Sequence, residues 1–444
     1  MTYPSNVILH AFDWPFALVT QRAADIAECG YTSVLVSPPN QSEKSPLGTE
    51  WWQRYQPTDY RVIDNQLGNT HDFKLMTDTL NGYGVTVYVD VVFNHMANEY
   101  GRENHLEFPG QQRLQSYANN PTKYDEIRLF GDLSENLFTA EDFVDFGPIT
   151  DWECPEQVQN GRISSGAGDY GLPPLACKPH VIDAQQQYLL ALKRLGVGGF
   201  RIDAAKHLSL EHLNAVFTPE ITEGMHVFGE IITDGGVDRN EYQLFLEPYL
   251  KETRLSAYDF PRFHAIWHTL TQGKSMTALI DPYSIGQALE YHRAITFVVT
   301  HDIPNNDVFL DQVLTEESEA FAYAYIMSIN AGVPLIYSDL DTSGINNLAG
   351  KPRWKDVYNT AFLKALVRFY HYTFGTTMKV AATKDTLQVT RGSKGIMLLN
   401  RSNKAQTFNL PEDLPFSDLL APEQGKHLNR IAIGAGKIAA LIVE

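Results

Sequence analysis

Three carboxylates follow short β-rich runs in this chain: Asp203 after 199–202, Glu230 after 226–229 and Asp302 after 296–299. Like charges at short range cost energy, so carboxylates gathered at one place need a reason. Two chemistries supply one. The three could bind a divalent metal through oxygen, or they could provide the nucleophile and acid/base pair of glycoside hydrolysis. Arg201 lies two residues before Asp203, so in a strand both point to the same side. A guanidinium beside Asp203 holds it ionised, as a nucleophile requires. Glu230 follows Val227-Phe228-Gly229, an apolar setting that raises a carboxyl toward the range of a general acid. This division of roles favours glycoside hydrolysis. Spacing alone leaves the two chemistries level, because an Asp at a strand end also caps the helix that follows.

For these groups to meet, their strands must share one sheet and end on one side. Strands are predicted at 7–12, 33–36, 85–92, 199–202, 226–229, 256–259, 296–299 and 334–337. Helical patterns lie between them, among them one running to about residue 29, one at 72–82, and one at 184–195 capped by Asp183. Strand–helix alternation implies a parallel sheet, and eight repeats imply a closed (β/α)8 TIM barrel. Catalytic groups then sit at the C-terminal ends of the strands. The interval 96–180 breaks the pattern. It is rich in Gly, Asn, Pro and Asp, lacks a sustained helical period, and follows the third strand. It reads as a functional insertion over the barrel's C-terminal face. Short strands return at 387–391, 395–400, 406–409, 430–433 and 437–442, with a hairpin loop at 391–394. The resulting division is an α/β barrel at 1–95 and 181–373, an insertion domain at 96–180 and a C-terminal antiparallel β domain at 374–444.

Composition narrows the partners. The net charge of −18 argues against nucleic acid and anionic membrane, which reward Lys and Arg. No run reads as a membrane span. The nearest, 320–337, is interrupted by Asn330 and Pro334 and reads as a buried helix feeding a buried strand. The opening MTYPSNVILHAF has no charged n-region, so the protein is either cytoplasmic or secreted with a leader already removed. The three cysteines form no CxxC, which speaks against a zinc cluster. Cys29 is expected to be a buried thiol. Cys154 and Cys177 either pair within one loop region or stand apart.

The segments DVVFNH (90–95), GFRIDAAKH (199–207), FGE (228–230) and VVTHD (298–302) resemble the four signature regions of the α-amylase family, glycoside hydrolase family 13, in the right order. GYTSVLVSPP (30–39) and WWQRYQPTDY (51–60) resemble its second-strand segment and substrate-lining loop. The resemblance spans about residues 7–340 and implies a barrel, an insertion after strand three and a C-terminal β-sandwich. It also implies retaining endo-hydrolysis of α-1,4-glucosidic bonds in starch, glycogen and maltooligosaccharides, by a protein acting as a monomer. Asp203 would attack the anomeric carbon, and Glu230 would protonate the departing oxygen and then activate water. Asp302, His95 and His301 would hold the sugar at the cleavage point. Arg201 would orient Asp203, with Asp90 supporting Arg201. Tyr55 would stack under the sugar ring, with Trp51 and Trp52 nearby. Lys206 and His207 would line the leaving-group side.

The chain departs from the family pattern in two places. Many members hold a structural calcium between barrel and insertion, which here would use Asn94 and His207. A carboxylate ligand usually joins them from an LPDLD-like segment, but Pro174 stands in its place within 172–176. Calcium favours several hard oxygens, commonly including carboxylate. The site is therefore left open, with Asp169 or another insertion acid as the substitute ligand. Members that bind chloride use an Asn where this chain has Thr300, so no chloride is expected. No cofactor is expected for the chemistry itself. Within the family, an α-glucosidase, a maltooligosaccharide-forming exo-enzyme and a transglycosylase are the alternatives. A catalytically silent glucan-binding or partner protein is the alternative from another class, and such proteins lose the carboxylates this chain keeps.

Overall fold

The computed structural model describes residues 5–42, 50–98, 106–166, 168–411 and 414–443. Eight strands close a barrel: β1 (Ile8–Ala11), β2 (Ser33–Val36), β3 (Thr86–Val92), β4 (Val197–Asp203), β5 (His226–Gly229), β6 (Ser256–Tyr258), β7 (Ala294–Phe297) and β8 (Val333–Ser338). Every neighbouring pair is parallel, and β8 returns to pair with β1. Strands such as SVLV and TVYVDVV are apolar on both faces, because side chains fill the barrel inside while helices cover it outside. The register sets Asp90 opposite Arg201, and Val92 opposite Asp203. A one-residue slip would turn those side chains to the other face.

Several element boundaries move from their predicted places. The helix expected at 184–195 spans Pro179–Arg194, so Asp183 lies within it instead of capping it. Proline at the first helical position is preorganised for a helix start and needs no backbone N–H there. The seventh strand lies two residues earlier than predicted, and Val298 and Val299 follow its end. The region 96–180 does hold helices: Gln111–Asn119, Pro121–Ile127 and Pro155–Asn160. They are short, and two start on proline, which explains the absence of a long apolar period. Beyond the last long helix, Ala361–Thr373, the chain is antiparallel β. A six-stranded sheet includes Met378–Ala382, Thr386–Arg391, Gly395–Asn400 and Lys437–Val443, and a two-stranded ribbon pairs Gln406–Asn409 with Arg430–Ile433. Among the described residues no helix is long and apolar enough to cross a membrane. Cys29 is buried, and Cys154 and Cys177 are both free thiols.

Candidate active site

Three strand ends build one charged centre. Arg201, on β4, is fully buried at the barrel mouth. Its Nη1 lies 2.8 Å from both carboxylate oxygens of Asp90 and 2.8 Å from Asp203 Oδ1. Its Nη2 pairs with Glu230 Oε1. One guanidinium thus touches carboxylates from β3, β4 and the end of β5. The β4–β5 ladder continues into the site, where Glu230 N–H donates to the Ile202 carbonyl. Ala204, directly after Asp203, takes a left-handed conformation with φ 46° and donates its N–H to Glu230 Oε2 at 3.3 Å. A left-handed alanine is uncommon, and such strain gathers at functional sites. Gly229 admits no larger residue before Glu230. A Cβ there would meet the Tyr249 hydroxyl at 2.7 Å and Ala205 Cβ at 2.9 Å.

Aromatic rings wall the centre. His301 is stacked between Phe12 (centroids 4.8 Å apart) and Tyr55 (5.0 Å), and Trp51 meets it edge-on at 5.7 Å. One face of Tyr55 is therefore covered by His301. The Tyr55 hydroxyl donates to Asp90 at 3.0 Å. His95 donates from Nε2 to the Tyr55 carbonyl, which can only accept, and its Nδ1 accepts from the Asn94 amide. Trp52 is 43% exposed and stands outside this ring cluster. Asp302 opens the short helix Asp302–Asn305 with its carboxylate 3.7 Å from His301 Nε2.

Burial sets the protonation states. Glu230 is pushed up to about 8 by burial, against the pull of Arg201 and with help from the charges on Asp302 and Asp203. Burial likewise lifts Asp302 to about 6 and Asp90 to about 7, with Arg201 again opposing. The histidines go the other way. Burial lowers His95, and burial with Arg201 lowers His301 and takes His10 to about 3. Burial costs Arg201 too, but Asp90, Glu230 and Asp203 together keep it charged. The site is thus a single buried cation among carboxyls, walled by neutral imidazoles.

Lys206 and His207 lie where the insertion meets the barrel. Lys206 Nζ pairs with Glu241 at 2.7 Å. His207 Nδ1 donates to the Val158 carbonyl at 2.8 Å, and its ring meets Trp152 edge-on at 5.8 Å. At the position expected for calcium, the segment that would supply a carboxylate supplies Pro174. Pro174 pairs through its backbone with His95. Asp169, the substitute ligand, accepts from Ser165 N–H and hydroxyl, Gly171 N–H and the Asn98 amide. These donors hold its carboxyl down at about 2 despite some burial. Among the described residues no cluster of three or more His, Cys, Asp or Glu side chains suits a metal ion.

Sequence reasoning missed four contributors. His10 lies near the end of β1 and Phe12 directly follows it, and the rule that strand ends carry chemistry would have found them. Glu241, at the start of a helix, and Trp152, in a turn, are revealed only by spatial proximity to Lys206 and His207.

A family model described as alpha amylase, catalytic domain, matches residues 17–361. An α-amylase of Aeromonas hydrophila is 46% identical over 406 residues, covering 91% of this chain and 86% of its own length. A variant of α-amylase I from Eisenia fetida in complex with maltohexaose superposes with a TM-score of 0.77 at 20% identity, over 100% of this chain and 98% of that one. A gamma-CGTase from alkalophilic Bacillus clarkii superposes with a TM-score of 0.73 at 16% identity, over 99% and 70% of the two chains. At those identities the two structures speak to the fold alone.

Proposed function

The chain belongs to the α-amylase family, and from that premise we propose how its barrel mouth cuts starch. The protein is a glycoside hydrolase of α-amylase type, and its reaction is endo-hydrolysis of α-1,4-glucosidic bonds. One observation carries the mechanism: the Arg201 guanidinium is shared by Asp203 and Glu230. Two carboxyls on one guanidinium stand close together. Double displacement needs that closeness, whereas inverting enzymes leave a water-sized gap of about 6.5–9.5 Å.

In the first step Glu230, protonated below its raised pKa of about 8, gives its proton to the glycosidic oxygen. Asp203 attacks the anomeric carbon as that bond breaks, forming a glycosyl ester. Glu230, now a carboxylate, takes a proton from water, which attacks the same carbon and frees Asp203. Two inversions retain the α configuration. Arg201 holds both carboxyls in register, and Asp90 with the Tyr55 hydroxyl holds Arg201. Asp302 and His301 grip the sugar at the cleavage point, against a wall of Phe12 and Trp51. Lys206 fixes the loop that follows Glu230 through Glu241 and faces the leaving group. The test is starch hydrolysis by Asp203→Asn and Glu230→Gln with circular dichroism unchanged. Both should be nearly inactive, and substantial activity in either overturns the assignment.

A further inference from the structure

The short turn Trp51–Tyr55 supplies two of the rings around His301, and one buried guanidinium holds that turn in place. Arg54 has no exposed surface. Its Nε donates to Asp13 Oδ1 at 3.1 Å, its Nη1 to Gln66 Oε1, and its Nη2 to the Glu50 carbonyl at 2.8 Å. These acceptors come from three places: the turn after β1, the hairpin turn between Asp64–Asn65 and Gly68–Asn69, and the residue just before Trp51. Gln66 returns a bond to the same turn, from Nε2 to Gln53 Oε1 at 2.8 Å. A planar fork of donors reaches all three acceptors at once, which a lysine ammonium does not. Asp13 is itself fixed to the barrel. It takes a left-handed conformation with φ 55°, and its N–H donates at 2.9 Å to Ser37 Oγ, just past β2. A non-glycine residue keeps that conformation where its surroundings over-determine it. The residue before it, Phe12, meets the Trp51 ring with centroids 5.8 Å apart. Residues 12 and 13 thus grip the turn twice, once by ring contact and once by a buried ion pair.

We propose that Asp13 and Arg54 are positioning residues for the hydrolysis, acting through the Trp51 and Tyr55 rings that they hold against His301. The inference rests on the reading above that this wall lines the sugar at the cleavage point. A buried ion pair adds little net stability, because desolvation offsets the attraction, but losing one partner leaves an uncompensated buried charge. Without the Asp13 carboxylate, the Arg54 charge draws the turn toward water. Trp51 then leaves its place beside His301, and Tyr55 slips from Asp90, which its hydroxyl holds at 3.0 Å. A shift of about 1 Å in groups that position a substrate can lower the rate by about 10²-fold.

The test is a double-mutant cycle on the full chain, read as kcat/KM for maltoheptaose hydrolysis at a temperature where circular dichroism shows every variant folded. Asp13→Asn keeps the shape of the side chain and removes its charge. It should lower kcat/KM about tenfold or more. Trp51→Ala should lower it as well. The double variant should fall within about threefold of Trp51→Ala alone, because the loss from Asp13 passes through the wall that Trp51→Ala has already opened. Arg391→Ala, in the C-terminal strand Thr386–Arg391, controls for lost stability and should keep kcat/KM. If Asp13→Asn does not fold, Arg54→Lys takes its place in the cycle, since it keeps the charge and loses the fork. Losses from Asp13→Asn and Trp51→Ala that simply multiply overturn the proposal, as does a folded Asp13→Asn within about threefold of the parent chain. Full activity in Trp51→Ala overturns the reading of the wall and the proposal with it.

Discussion

At the scale of residues, the account rests on how differently Asp203 and Glu230 are used by one guanidinium. Glu230 donates a proton only in the first half of the reaction, to a poor leaving group. Glu230→Gln should therefore lower kcat on starch by about 10²–10⁴-fold. A substrate with an acidic leaving group, such as an α-glucosyl fluoride, should restore much of the first step to Glu230→Gln and none to Asp203→Asn. Equal rescue of both variants would contradict the roles. The raised pKa of Glu230 also fixes a sign. Its proton is present below about 8 and lost above, so kcat/KM should fall as pH rises through that region. An alkaline limb in the range of an ordinary exposed carboxyl would contradict the assignment. The cluster of Arg201 with Asp203 and Glu230 was legible in sequence because strand-end position and i, i+2 spacing place them. Their partners were less so. Nothing local tells that His301 sits between Phe12 and Tyr55, or that the His95 ring is tied to the Tyr55 carbonyl.

Elements position these residues, and their types were easier to read than their limits. Parallel barrel strands are apolar on both faces, so each stood out as a short apolar run. Their ends are set by pairing with neighbours, as when Ile295 to Phe297 pair with Val333 to Leu335 and leave Val298 and Val299 outside. The insertion was legible only as an interruption, because its helices are too short for periodicity to register. Its attachment to the barrel is direct: the His207 ring donates to the Val158 carbonyl, and the Asn240 amide reaches Glu153 at 3.2 Å. We propose that these bonds hold the joint without calcium, since Pro174 stands where a carboxylate would be and Asp169 is committed to four donors. Melting temperature should then be the same with chelator as with added calcium. A calcium-dependent rise of several degrees would show an ion at the joint. His207→Ala should destabilise the fold by about 1–3 kcal/mol, the cost of leaving the Val158 carbonyl unpaired, as read from denaturant unfolding.

At the scale of the whole molecule, the C-terminal sheet packs Leu387, Val389, Met397 and Leu399 into the barrel's core, Arg401 donates to the Thr269 and Lys274 carbonyls, and one buried side chain adds a further tie. Arg391 donates to the Ser328 carbonyl at 2.7 Å and the Thr373 carbonyl at 3.0 Å, and also contacts Asn330. Arg391→Ala should cost about 1–3 kcal/mol for each carbonyl left unpaired, lowering the melting temperature while kcat of the folded enzyme is unchanged. A large loss of kcat at full folding would mean that the sheet reaches the site. The barrel was predictable because alternation of strands and helices admits few closures. The junction was not, since it depends on contacts between residues some sixty positions apart. The central claim is that Asp203 forms a covalent glycosyl intermediate. It is tested most directly by trapping with a fluorinated α-glucosyl fluoride, then proteolysis and mass spectrometry of the labelled peptide. The account predicts one sugar attached to Asp203. A label on Glu230 or Asp302, or turnover that releases the β-anomer with no adduct, would contradict it.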